Sequence, residues 1–221
     1  MKFFLRAVFA ILLAIFAFLP NASLAGNWYM GGGAGQSSTD NTAAADIQEI
    51  QQLYQSMGFS TSVTTDDTDT GGKVFGGYRM NRYVTVEGQY ADFGKSTLSF
   101  SASKGSQKAL STGEFKATGL SVSVMGILPV GSRVSLFGKA GALYWKAQTS
   151  YAYTDNIMPI SFSGSDDATG TSPVLGAGID VKVSKALSVR IEHERINDVG
   201  DENKTGKTDI SLTTANLVFN F

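Results

Sequence analysis

The chain contains no cysteine. That excludes a disulfide framework, a thiolate metal site, a cysteine nucleophile and a lipid-bearing cysteine behind a leader. Histidine occurs once, as His193, so no second imidazole is present to build a zinc site. Neither sign of charge dominates: the net charge is −1 at pH 7, without the clustered basic face that nucleic-acid binding requires. Beyond residue 25 no apolar run approaches the roughly 20 residues a spanning helix needs. Yet 43% of the chain is hydrophobic, with 25 glycines against 4 prolines, a composition that suits an all-β protein.

The first 25 residues read as a targeting segment. Lys2 and Arg6 give a positive start, and Ala7 to Leu19 is an apolar stretch too short to span a bilayer as a helix. Ser23-Leu24-Ala25 has the small-x-small pattern of a signal peptidase site. The expectation is a signal peptide over 1–25 and one domain, 26–221, that is exported.

Periodicity tells what kind of β protein follows. From Ala215 onward Ala215, Leu217, Phe219 and Phe221 share one face, while Thr214, Asn216 and Asn220 share the other; Val218 is the exception. The same alternation of period two recurs at Leu187, Val189 and Ile191 against Ser188, Arg190, Glu192 and Glu194. It recurs again in 173–183, 116–128 and 83–93. With strands at 133–146, 73–80 and 27–36, the set is eight, each near the length of a tilted membrane strand.

Residues 81–82, 129–132 and 184–186 read as tight turns. The other connections, 37–72, 94–114, 148–172 and 197–207, read as long polar loops. Short turns on one side and long loops on the other are the habit of outer-membrane barrels, periplasmic and extracellular respectively. The mid-strand charges Glu87, Lys139, Asp180, Arg190 and Glu192 fall on the small and polar face. A lysine or arginine facing lipid at mid-membrane costs about 2–4 kcal/mol. These charges must therefore point into the barrel while the apolar face meets hydrocarbon. The fold expected is all-β: an eight-stranded antiparallel transmembrane β-barrel in the outer membrane.

One segment departs from this pattern. In 42–58, Ile47, Ile50, Tyr54 and Met57 recur at spacings of three and four, with Leu53 beside them. Thr42 is placed to cap the start, and Gly58 to end it. A short helix is expected inside the first long loop, as a docking surface, an element resting on lipid headgroups, or a lid over the barrel mouth.

The stretch VFGGYRMNRYVTVEGQYADFG at 74–94 resembles the second and third strands of the OmpA transmembrane domain. SPVLGAGIDVKVSKALSVRIEHERINDVGD at 172–201 resembles its sixth and seventh, NWYMGGGAG at 27–35 its first and LFGKAGALYW at 136–145 its fifth. The resemblance implies an interior network of acidic and basic side chains that fills the lumen. On matching positions Glu87, Asp180, Arg190 and Glu192 would belong to it, with Lys139 nearby, and Arg190 would pair with Glu87 or Asp180. Where that family commonly carries an inward lysine on the fourth strand, this chain has Met125. The terminal Phe221 resembles the signal read by the barrel assembly machinery. The family's periplasmic peptidoglycan-binding domain has no counterpart within these residues, so the resemblance implies no cell-wall tether.

No residue pattern points to catalysis, a metal or a cofactor. A lipid-hydrolysing His-x-Ser pair on the outer face would place serine at 195, where this chain has Arg195, after Glu194. Asp66, Asp67 and Asp69, and the pair Asp166 and Asp167, lack the glycine and glutamate spacing of a calcium loop. Gly31-Gly32-Gly33 and Gly35 lie on an expected strand with no helix after it, which is not the context of a phosphate cradle. Eight strands enclose a lumen just filled by side chains, so a wide porin is excluded. The leading expectation is a structural and surface-interaction protein, in contact with outer-membrane lipid and lipopolysaccharide and displaying loops to an external partner. A narrow ion pore gated by interior charges is the alternative, and a lipid A-modifying enzyme the third.

Overall fold

The computed structural model describes residues 26–40, 44–156 and 159–221. Residues 1–25, where a signal peptide is expected, and Thr42 lie outside the described residues. In chain order the elements are β1 (Trp28–Thr39), α1 (Ala44–Ser56), β2 (Ser60–Asp66), β3 (Thr68–Arg79), β4 (Val84–Lys104), β5 (Gln107–Pro129), β6 (Val134–Asp155), β7 (Ile160–Lys182), β8 (Leu187–Asp201) and β9 (Gly206–Asn220). All neighbours pair antiparallel, and β1 closes the ring by pairing with both β3 and β9. Strands β2 and β3 are separated by Asp67 alone, and both pair with β4, β2 along Thr97–Ser103 and β3 along Thr85–Asp92. They occupy one position in succession, so nine strands make a cylinder of eight places.

The alternation is reproduced side chain by side chain. On β8, Ser188, Arg190, Glu192 and Glu194 are buried, while Val189, Ile191 and His193 are exposed. On β5, Ser121, Ser123 and Met125 are buried and Leu120, Val122, Val124 and Leu128 exposed. Val218, the break in the polar row, points inward against Tyr29 and Phe75. Exposed aromatics mark both ends of the apolar band: Tyr90 and Tyr144 above, Trp28, Tyr78 and Tyr83 below. Amphipathic rings settle at such interfaces, and outer-membrane barrels carry a girdle at each.

All four expected loops contain strand, and two of them are strand almost throughout. Residues 94–104 and 107–114 continue β4 and β5 into a hairpin, and 148–155 and 160–172 continue β6 and β7 into another. The polar composition suggested loops, but the serines, threonines and aromatics there suit a pleated surface with one face wet and the other partly covered. Gly105, at φ +61°, supplies the first central residue of a two-residue turn between Lys104 and Gln107. With β2 at one edge these extensions form a five-stranded wall. At about 3.4 Å per residue and a tilt near 40°, it stands on the order of 20–25 Å above the apolar band.

Helix α1 forms within the first connection, and Gly58 ends it in a left-handed conformation (φ +80°). The Phe59 amide donates to the Tyr54 carbonyl and the Gly58 amide to the Gln55 carbonyl, the paired bonds of a glycine-terminated helix. Ile47 and Tyr54, with Phe59 and Val63, pack against the buried Phe100, Ala102 and Ala109. By strand alternation these wall residues face the same side as the lumen. The helix therefore lies against the concave inner face of the wall and not on the bilayer surface.

Candidate functional site

The lumen is filled in layers, and the central one is ionic. The register sets Asp180 opposite Arg190, and Lys139 opposite both Met125 and Gly176, so charges from β3, β4, β6, β7 and β8 converge. Glu87 accepts a hydrogen bond from the Tyr29 hydroxyl at 2.6 Å and one from Arg190 Nη1 at 2.7 Å. Its other oxygen lies 3.2 Å from Lys139 Nζ. Lys139 also meets Glu192 at 2.9 Å and Glu194 at 2.7 Å, and donates to Gln89 Oε1 at 2.8 Å. Lys73 Nζ lies 2.8 Å from Glu192 and 2.6 Å from Glu194. The side chains of Lys73, Glu87, Glu192 and Glu194 are 0% exposed. Three ammonium or guanidinium groups thus face three carboxylates with water excluded. An unpaired charge would be intolerable there, and mutual pairing offsets the desolvation.

Glycines make room for the large members. A Cβ at Gly77 would enter the Tyr29 ring, and one at Gly178 would enter Phe137. Phe137, Phe75 and Tyr29 hold their ring centroids 5.0, 5.0 and 5.4 Å from the Arg190 guanidinium. Arg190 reaches both carboxylates named for it: besides Glu87, its Nε donates to Asp180 Oδ2 at 3.3 Å. Asp180 sits at the lower edge, partly exposed. Met125 lies in the layer with its sulfur 3.6 Å from the Tyr29 hydroxyl. No cation of this layer comes from the fourth place in the ring, and Lys73, Lys139 and Arg190 supply the positive charge.

Of the residues singled out in the sequence, Glu87, Lys139, Arg190 and Glu192 are brought together, with Asp180 at the margin. Lys73, Glu194, Gln89 and Tyr29 complete the cluster and were not assigned to it. Glu194 shares the parity of Arg190 and Glu192, which was a usable signal. Lys73 precedes Phe75 and Gly77 on their face, but it stood at the edge of an assumed loop.

Above the ions the lumen is apolar. Ala91, Phe93, Leu143, Trp145, Ile196, Val199, Ile210 and Leu212 form one buried cluster there. Trp145 donates its indole N–H to Ser172 Oγ at 2.8 Å, and Ser172 in turn donates to the Asp198 carbonyl. His193 faces outward, its Nδ1 2.8 Å from Thr213 Oγ1. Glu194 points the other way into the lumen, and Arg195 is held by Asp40 at 3.0 Å and Asp209 at 2.9 Å. Among the described residues no group of three or more acidic or imidazole side chains could hold a metal ion.

A closed ring with lipid-facing apolar residues, two aromatic girdles and a lumen packed with ion pairs defines a small transmembrane β-barrel. The family model of the OmpA-like transmembrane domain matches residues 24–221. The chain belongs to that family, and the protein is an outer-membrane barrel whose band meets membrane lipid and lipopolysaccharide. Outer membrane protein A of Klebsiella pneumoniae is 28% identical over 191 residues, 86% of this chain and 49% of the relative. That of Escherichia coli O157:H7 is 27% identical over 199 residues, 89% of this chain and 48% of the relative. The chain spans about half the length of these curated relatives. Among solved structures, Neisserial surface protein A shares the fold at a TM-score of 0.53 and 11% identity, covering 89% of this chain and 99% of that one. Ail of Yersinia pestis does so at 0.50 and 16%, with the same coverage.

Proposed function

We propose that the barrel is a membrane anchor for a surface-interaction platform, with no catalytic role. The supporting observation is the concave face of the extracellular wall. There Tyr151, Ile160 and Phe162 are 42–53% exposed, beside Ile50, Leu53 and Met57 on the free side of α1. Large apolar side chains gathered at a solvent-facing site, with aromatic anchors among them, mark interaction surfaces. The adjacent β7 has a second strand partner only from Val174 to Lys182. Its upper edge presents unpaired backbone groups that an extended polypeptide could bond. The partner proposed is therefore an external protein segment. The barrel assembly machinery, reading the last strand to Phe221, would be a second, transient partner.

The test is adhesion of cells producing the full-length protein, compared with cells producing a Leu53→Asp/Phe162→Asp variant at equal surface level. The expected result is loss of most protein-dependent adhesion, with an unchanged barrel on unheated gels. Equal adhesion would remove the wall from the function. A second reading, a narrow ion pore, is favoured by the three carboxylates within reach of Lys139, which make partner exchange a short movement. Discrete conductance in planar bilayers that changes in Arg190→Ala would support it.

A further inference from the structure

The lower end of the barrel is unlike the rest of the molecule. A cavity of about 680 Å³ opens at the periplasmic side, between the short turns. Its lining includes Arg79, Arg82, Arg133, Lys182 and Lys185, with Asp180 as the one carboxylate side chain. Tyr29 and Arg190, at the lower margin of the ionic layer, close its inner end. None of the five rim cations forms a salt bridge among the described residues. Arg79 donates to the Asn220 side chain and lies 4.8 Å over the Tyr29 ring, and Arg82 lies 4.5 Å over Tyr83. These are neutral partners. Asp180 is engaged by Arg190.

Five cations without a salt bridge around one concavity repel one another, and a low-dielectric wall focuses their field into the mouth. The arrangement wastes stability unless an anion offsets it. Lateral lipid headgroups would meet charges on the outside of the ring, but these side chains line the inside. Three of the five are arginines, whose planar forks match phosphate oxygens two at a time. We propose that this blind periplasmic mouth is a binding site for a compact polyanion bearing phosphate groups. The site is independent of the extracellular wall, so either assignment can fail without the other.

The experiment uses the full-length protein extracted in nonionic detergent and pyrophosphate as the probe, read by titration calorimetry. Wild type should bind about one pyrophosphate, several-fold more weakly when salt is raised from 50 to 300 mM because such contacts are screened. The turn variant Arg82→Ala/Arg133→Ala/Lys185→Ala should bind at least about tenfold more weakly while keeping heat-modifiable mobility on gels. Lys185→Glu alone, at a turn tip, should repeat the direction of that loss. The extracellular control Lys95→Ala/Lys116→Ala/Lys146→Ala should bind like wild type. Absence of binding in wild type, or equal loss in the control and the turn variants, overturns the proposal. Nanodiscs separate the sources of phosphate. Binding that persists with anionic phospholipid present assigns a soluble ligand, and binding abolished only by that lipid assigns its headgroup.

Discussion

Arg190 shows how strongly single residues are constrained in the lumen. It is almost wholly buried, it bonds Glu87 and Asp180, and three aromatic rings surround it. Removing one partner of a buried pair costs about 3–5 kcal/mol, largely because the other charge is stranded. Arg190→Met is expected to lose that much, read as a lowered urea midpoint in lipid vesicles. Adding Glu87→Gln should restore more than half, since Lys139 retains Glu192 and Glu194. A double variant as unstable as the sum of its parts would refute the pairing. Outside the membrane, hydrogen bonds from Lys116 and Lys95 hold the Glu114 carboxyl below its usual 4.5. A carboxyl depressed by folding stabilises above the unfolded value, and the effect is lost as pH falls through the folded one. At this exposed site the energy is small. The checkable outcome is a Glu114 NMR titration midpoint that moves up in Lys95→Ala/Lys116→Ala. At this scale the sequence was informative because parity is binary: once the apolar face was outside, Glu87, Lys139, Arg190 and Glu192 could only be inside. Partner choice was not legible, because it depends on which strands face each other across the lumen.

At the scale of elements, hydrophobic alternation located the membrane part of every strand but not its end. Alternation with the apolar side outward exists only where one face meets lipid. Above the band the outer face meets water and the inner one α1. Leu98, Phe100 and Ala102 still alternate with Ser99, Ser101 and Ser103, but with apolar side chains inward, and the serine-rich composition makes Ser96 to Lys104 look like loop. Pairing with β5 keeps it a strand. Helix α1 was legible for the opposite reason, since its three-and-four spacing contrasts with the strands around it. Closure of the ring rests on β1, where a Cβ at Gly35 would run into the Thr213 carbonyl of β9. Backbone cannot yield as a side-chain tip can. Gly35→Val is therefore expected to block closure, leaving protein that migrates as unfolded on unheated gels. Gly126→Ala, which meets nothing within 4 Å on β5, should fold as wild type does. Equal folding of both variants would show that the β1–β9 seam tolerates more than its geometry allows.

For the whole molecule, the stacking of layers sets what anchor and pore would each require. An ion entering from the short-turn end meets the cationic mouth and then the paired charges between Arg190 and Lys73. Beyond them lies the apolar cluster of Phe93, Leu143, Trp145, Ile196 and Leu212. Ionic and apolar barriers in series differ in what relieves them. Partner exchange around Lys139 loosens the first, but it leaves the second dry, and narrow apolar constrictions block ions by excluding water. Loosening the ionic layer alone should thus leave the barrel closed. The expected record in planar bilayers is silence for wild type and for a folded Glu87→Gln variant. Discrete openings should appear only when Phe93→Ala and Trp145→Ala are added to Glu87→Gln. Openings in Glu87→Gln alone would mean that the apolar cluster parts readily, and the barrel would then have to be reckoned a charge-gated channel.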